Sequence, residues 1–300
     1  MTSPISLHDT GELLLPSPLQ PFHPDWPGAD KLNLFIKRDD LIHPVISGNK
    51  WRKLKYTFNA LPAGCERIIS FGGGFSNHLH ACGFLCALSG LPFTAIVRGD
   101  YSTSLTPMLE DLYRWQADIR FVDKKTYKLR DDPDWLSALS QRYPGSVIIP
   151  EGGSQHLALK GVAEIVEECD VEFDHVIVPV GSGATLAGLI TALKKPQSAT
   201  GIAVLKGEAY LESLVENLLP PDTVMPAWQI HHQYHCGGYG KAPEELKAFC
   251  NDMQRSYNIP VEPVYSGKMF AAVKDMIANG QFSSGSAVLL VHTGGLQGAR

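Results

Sequence analysis

Lys50 lies in the run Ser47-Gly48-Asn49-Lys50-Trp51-Arg52-Lys53-Leu54, beside small and polar residues and ahead of a basic, apolar-patterned stretch that reads as a helix. A lysine in that place is either a surface charge or a group that can hold an aldehyde cofactor as a Schiff base. The second role needs a depressed pKa, which burial or neighbouring cations supply. Arg52, Lys53 and Lys55 can lower it, or they can form a solvated basic face; Lys55 reads as solvated. Lys53 is three residues after Lys50, on the same side of a helix, where it can reach a phosphate.

Three glycine-rich segments follow short apolar runs. In Gly181-Ser182-Gly183-Ala184-Thr185, a glycine turn exposes backbone N–H groups at a helix start, and Ser182 and Thr185 add hydroxyls. It reads as a phosphate cradle or as an ordinary strand-to-helix turn. A dinucleotide fingerprint is incomplete, because Leu186 stands where its third glycine belongs and no acidic residue lies at the ribose position. No Gly-Lys-Ser/Thr follows, which excludes a Walker A loop. Ser76-Asn77-His78 comes after Gly72-Gly73-Gly74 and suits a carboxylate, or Ser76 or Asn77 caps the next helix. The third segment is Thr293-Gly294-Gly295. His231, His232, His235 and Cys236 lie among glycines in a loop, which is weak support for a metal. Cys82 and Cys86 read as buried thiols on one helix face.

The elements that position these groups alternate. Strands are expected at 67–71, 93–97, 147–149, 175–180, 202–205 and 287–292. Helices are expected at 49–60, 77–89, 106–115, 156–169, 184–193, 208–218, 243–256 and 268–278. Residues 1–30 are rich in proline and read as a leader over the surface. Strands apolar on both faces and separated by helices imply an α/β fold with mostly parallel twisted sheets covered by helices. Ligands in such folds bind beyond the C-terminal ends of the strands, where the glycine segments lie.

The chain has 300 residues and a net charge of −5. Its length favours two lobes, and its charge argues against a nucleic-acid surface. No apolar run reaches the roughly 18 residues of a membrane helix, and the N-terminus lacks a signal-peptide pattern. Six scattered cysteines read as reduced thiols of a cytoplasmic protein.

Taken together, the motifs are recognisable. The matching pieces are Lys37-Arg38-Asp39-Asp40-Leu41, Ser47-Gly48-Asn49-Lys50 with Arg52-Lys53-Leu54, Ser76-Asn77-His78, Gly181-Ser182-Gly183, Gly237-Gly238-Tyr239-Gly240, Pro263-Val264-Tyr265-Ser266-Gly267-Lys268 and His292-Thr293-Gly294-Gly295. The chain resembles the pyridoxal-phosphate enzymes of the tryptophan-synthase-β-like fold. Within them it is similar to the branch holding 1-aminocyclopropane-1-carboxylate deaminase and D-cysteine desulfhydrase.

The resemblance implies a two-lobed protein, with a larger lobe from residues 1–51 and 161–300 and a smaller inserted lobe from 52–160 that closes over the substrate. It implies that Lys50 holds pyridoxal 5'-phosphate as a Schiff base and later moves the Cα proton. Asn77 would bond the ring hydroxyl, and Gly181, Ser182, Gly183, Ala184 and Thr185, with Lys53, would hold the phosphate. Ser76 and its loop, with Asn77 and His78, would bind the carboxylate of a small amino-acid substrate. Tyr265 would pack on the pyridine ring, Tyr239 would face the substrate, and a homodimer is expected.

Two positions bear on the reaction. The deaminase subgroup has an acid where Ser266 stands and a leucine where Thr293 stands; the desulfhydrase subgroup has hydroxyl residues at both. A hydroxyl opposite the pyridine nitrogen favours its unprotonated form, a weaker electron sink that suffices when thiolate is the leaving group. D-Cysteine is therefore the first candidate substrate, and the cyclopropane amino acid the alternative. A nucleotide-dependent oxidoreductase and a catalytically silent binding protein are alternatives of another class. Phe75, Leu79 and His80 depart from the family pattern around the carboxylate turn.

Overall fold

Short runs of β-branched and aromatic residues form the strands of two sheets in the computed structural model, which describes residues 13–221 and 223–299. In chain order the elements are β1 (Leu19–Phe22), β2 (Asn33–Lys37), α1 (Asn49–Asn59), β3 (Arg67–Gly73), α2 (Asn77–Leu88), β4 (Phe93–Arg98), α3 (Pro107–Arg114), β5 (Asp118–Val122), α4 (Lys124–Tyr127) and α5 (Pro133–Arg142). They continue with β6 (Ser146–Ile149), α6 (His156–Glu167), β7 (His175–Val180), α7 (Ala184–Ala192), β8 (Ser198–Ala203), α8 (Tyr210–Glu216), β9 (Ala227–His231), α9 (Glu244–Tyr257), α10 (Ser266–Ala278) and β10 (Ala287–Val291).

One sheet has six strands in the order β1-β2-β10-β7-β8-β9, and the other has four in the order β5-β4-β3-β6. Among the described residues, only the β1–β2 pair is antiparallel. The expected α/β fold with mostly parallel, helix-covered sheets is therefore what the chain adopts. Ile68, Ile69 and Phe71 of β3 and Val176, Ile177 and Val178 of β7 are all fully buried. Burial of consecutive residues requires cover on both faces, which the crossover helices provide.

Several elements differ from the sequence expectation. β8 begins at Ser198, four residues before the expected start at 202. Its first four residues, Ser198-Ala199-Thr200-Gly201, carry little apolar signal, yet they pair with β7 on one side and β9 on the other. Small residues are required there: a Cβ on Gly201 would come within 2.6 Å of Val180 and 2.8 Å of Leu186, at the start of α7. Leu19–Phe22 is an edge strand rather than surface leader; the leader's first twelve residues lie outside the described residues. Pro21 is tolerated because the strand is at an edge. Strand β2, edge strands β5 and β9 and helices α4 and α5 were also not anticipated. α5 carries a start signal, since Asp132 caps it by accepting from the Trp135 N–H and Pro133 follows. Among the described residues, no helix is long and apolar enough to cross a membrane.

Candidate active site

Gly48 permits the geometry on which the site depends. Its φ is +65°, and a Cβ there would lie 1.8 Å from the Thr293 carbonyl oxygen. The start of α1 is thus pressed against the turn that follows β10, and the Asn49 N–H donates to that carbonyl at 3.3 Å. Lys50 follows in the first turn. Its Nζ donates to Asn49 Oδ1 at 2.5 Å. Burial lowers the Lys50 pKa to about 8, against a smaller upward pull from Glu262. Lys50 is therefore not a solvated surface charge.

One turn later, Lys53 is buried. Its Nζ donates to Ser182 Oγ at 3.2 Å and to the Gly152 carbonyl at 3.3 Å. Burial, then the Lys50 charge, holds its pKa well below the ordinary lysine value. Lys53 therefore meets the Gly181–Thr185 segment that sequence spacing suggested. Gly183, with φ +80°, turns the chain into α7, and no side chain caps that helix. The open N–H groups of α7, the Ser182 hydroxyl and the Lys53 ammonium form a donor set suited to a phosphate. Ala184 and Thr185 are buried in the first turn of α7, and Thr185 Oγ1 accepts from Asn49 Nδ2 at 2.8 Å. A Cβ on Gly181 would lie 3.2 Å from the Tyr265 ring, so the tyrosine packs on this loop. Lys55, expected on a solvated face, instead pairs with Glu164 at 2.6 Å because α1 packs along α6.

Ser76 caps α2, its Oγ accepting from the Leu79 N–H at 3.2 Å. Asn77 accepts from Gln297 Nε2, and the turn after β10 also crowds it: a Cβ on Gly295 would be 2.8 Å from Asn77 Nδ2. His78 is buried, with Nε2 at 2.7 Å from Ser70 Oγ. Ser70 gives its proton to the Ile149 carbonyl at 2.7 Å, so Nε2 must be the donor and Nδ1 an acceptor. Burial, then the charges of Lys50 and Lys53, keeps this imidazole neutral. Its side chain thus offers no cation to a carboxylate; of its groups, only the backbone N–H suits that task. Phe75 is exposed beside the turn.

On the other side, the Tyr265 hydroxyl donates to the Tyr239 hydroxyl at 3.0 Å, with rings edge to face. Burial raises the pKa of both. Ser266 is fully buried and bonded to Glu262, and Thr293 is buried at the turn against α1. His232 pairs with Glu212 and His231 with Gln233, and among the described residues no three metal-ligating side chains cluster. Sequence reasoning passed over Asn49, Glu262, the pinning role of Lys268 and the Gly152–Ser154 turn, whose Ser154 Oγ donates to the Ser182 carbonyl at 2.7 Å. Glu262 stands four residues before α10 and matches no helix-start pattern, so nothing local marked it. Asn49 sat in plain view beside Lys50.

The chain is similar to known proteins along most of its length. A putative 1-aminocyclopropane-1-carboxylate deaminase of Pyrococcus horikoshii is 30% identical over 285 residues, covering 90% of this chain and 86% of the relative. A D-cysteine desulfhydrase of Klebsiella pneumoniae is 30% identical over 288 residues, covering 87% and 86%. A crystal structure of an ACC deaminase homologue superposes with a TM-score of 0.80 at 28% identity, covering 97% of this chain and 92% of that one. The model of the pyridoxal-phosphate dependent enzyme family matches residues 15–294, and the chain belongs to that family.

Proposed function

We propose that the protein is a lyase acting by β-elimination on a small amino acid, with D-cysteine as the first candidate. The observation that carries the reading is Lys50: a desolvated amine with a pKa near 8, bonded to a neutral amide, on the same helix face as the Lys53–Ser182 pair. Bound there, pyridoxal phosphate supplies the electron sink for negative charge developing at the substrate Cα.

In this reading Lys53, Ser182 and the start of α7 would bind the phosphate, and Lys50 would hold the aldehyde. Asn77 would bond the ring hydroxyl in place of its present bond from Gln297. Tyr265 would pack on the ring, and Ser266, with Thr293 nearby, would serve the ring nitrogen. Ser76 and the N–H groups of its turn bind the substrate carboxylate. Once the substrate amine had taken its place on the aldehyde, Lys50 would be free to take the Cα proton as the Cβ–S bond breaks and hydrosulfide leaves; one water would hydrolyse the remaining enamine to pyruvate and ammonia. Residues 52–160 act as the closing lobe. A cytoplasmic homodimer completes the reading. Deamination of 1-aminocyclopropane-1-carboxylate is the second reading, favoured by the Glu262 carboxylate behind Ser266.

The test is a spectrophotometric screen of D-cysteine, its chlorinated analogue, L-amino acids and the cyclopropane amino acid. Yellow protein that releases pyruvate and sulfide from D-cysteine, with colour lost in Lys50→Ala, is expected. Faster release of 2-oxobutanoate from the cyclopropane substrate would transfer the assignment to the second reading. Colourless protein that takes up no cofactor would end both.

A further inference from the structure

Glu262 is 3% exposed, between the start of α10 and the turn after β10. Its carboxylate is held as an acceptor. Oε2 accepts from the Val264 N–H at 2.6 Å, and Oε1 accepts from the Tyr265 and Ser266 N–H groups at 2.8 Å each. Ser266 Oγ lies 3.2 Å from Oε1 and accepts from the Glu262 backbone N–H at 3.1 Å. A serine hydroxyl has one proton and two lone pairs. The Glu262 N–H occupies one lone pair. The proton goes to Oε1, the nearer and charged acceptor, rather than to the Glu262 carbonyl at 3.5 Å. What Ser266 has left to offer is a lone pair.

We infer that Glu262 is a positioning residue that turns Ser266 into a carboxylate-backed acceptor, so that the pair favours a protonated ring nitrogen in the cofactor. The inference rests on the pyridoxal-phosphate reading of the site. It reverses the consequence drawn from serine alone, that a neutral hydroxyl leaves the nitrogen unprotonated. To donate to an unprotonated nitrogen, Ser266 would have to withdraw its proton from Oε1 and set an oxygen lone pair against a buried carboxylate. A nitrogen carrying its proton completes the row N–H, Oγ–H, Oε1 without that conflict.

The surroundings are compatible with a charged Glu262. Its field is felt at Lys50, Lys268, Tyr239, Tyr265 and Cys250, of which the two lysines are the cationic groups. Burial raises its pKa, and the bonds from the backbone N–H groups of 264–266 oppose that rise. A protonated ring is the stronger electron sink, which ring opening requires. Ser266 therefore does not by itself assign the chain to thiol elimination.

The test uses holoenzyme loaded with pyridoxal phosphate labelled with 15N in the ring, and reads the 15N chemical shift near neutral pH. Glu262→Gln keeps an acceptor oxygen for the backbone N–H groups but removes the charge; Ser266→Ala removes the hydroxyl. The expected result is a pyridinium shift in the wild type that moves to the unprotonated range in both variants, with full cofactor occupancy retained. An unprotonated shift in the wild type overturns the inference, and so does a pyridinium shift that survives both substitutions. Should Glu262→Gln not fold, the wild-type and Ser266→Ala shifts still decide. Wild-type protein that takes up no cofactor fails differently: it overturns the functional reading and this inference with it.

Discussion

Asn49 Nδ2 donates to Thr185 Oγ1 at 2.8 Å and thereby joins the first turn of α1 to the first turn of α7. The same amide accepts from Lys50 Nζ, so one side chain orients the lysine and ties it to the phosphate-suited helix start. Being neutral, the amide does not offset the burial that lowers Lys50 to about 8. Below that pH the ammonium dominates; above it the free amine, which is the nucleophile, dominates. Uptake of pyridoxal phosphate by cofactor-stripped protein is expected to accelerate about tenfold per pH unit below 8 and to level off above it. Asn49→Asp places a carboxylate on the ammonium, and its profile should inflect at higher pH. Stopped-flow absorbance measures both. A wild-type inflection at the ordinary lysine value would contradict the burial argument.

The tyrosine pair behaves as one unit. With both pKa values raised by burial, Tyr239 and Tyr265 remain phenols at working pH and can relay a proton without holding charge. Removing either hydroxyl breaks the same 3.0 Å bond. Tyr239→Phe and Tyr265→Phe should each lower kcat/KM by ~10²-fold, and the double variant should lose little more. Steady-state kinetics of the three variants check this. Multiplying losses would mean the two hydroxyls act separately.

The helix that carries Lys50 is anchored by charge. Arg52, fully buried, donates to Asp39 at 3.0 and 3.2 Å and to Glu168 at 2.5 and 2.7 Å, while Lys37 reaches Glu168 at 2.9 Å. Burial pushes the Glu168 carboxyl up, but the bonds from Arg52 and Lys37 outweigh it and bring the pKa from 4.5 to about 2. A group depressed in the fold stabilises fully above its unfolded pKa and loses that contribution as pH falls through the folded value. Glu168→Gln should cost ~2 kcal/mol at pH 7. The gap to wild type should hold down to the ordinary carboxylate range and close between pH 4.5 and about 2. Urea unfolding across that range measures it, and a gap independent of pH would rule out the ion pairs as its source.

These residues also mark where the sequence was legible. Lys50, the Gly181–Thr185 loop and the two tyrosine segments lie in local runs rich in glycine and polar residues, which is why the sequence singles them out. β1, β5 and β9 were missed because edge strands draw their order from the neighbour they pair with, not from their own alternation, whereas β2, an interior strand with buried Leu34 and Ile36, was missed although its signal was local. The burial of Lys53 depends on the Gly152 turn and Ser182, and the pairing of Lys55 on α6, about 100 residues away, whose Gly161 brings it so close that a Cβ would sit 1.9 Å from the Arg52 carbonyl. The His78 tautomer follows from where the Ser70 proton goes, and the Glu262 bonds from how α10 begins. Both are three-dimensional facts without a period or spacing to announce them.

Lys268 supplies the last test, because it is a buried cation spent on backbone. Its Nζ donates to the carbonyls of Val204 at 3.1 Å and of His235 and Gly238 at 2.9 Å each. It therefore pins a loop in which Gly237, Gly238 and Gly240 all have positive φ, and that loop presents Tyr239 to Tyr265. Lys268→Met keeps the aliphatic stem but leaves three carbonyls without their donor, a loss of ~3 kcal/mol. Displacing Tyr239 by about 1 Å would further cost ~10²-fold in turnover. Amide exchange separates these effects: residues 236–240 should exchange faster in the variant while α1 keeps its protection. If that loop keeps wild-type exchange while turnover falls, Lys268 acts on the chemistry by some route other than holding Tyr239 in place.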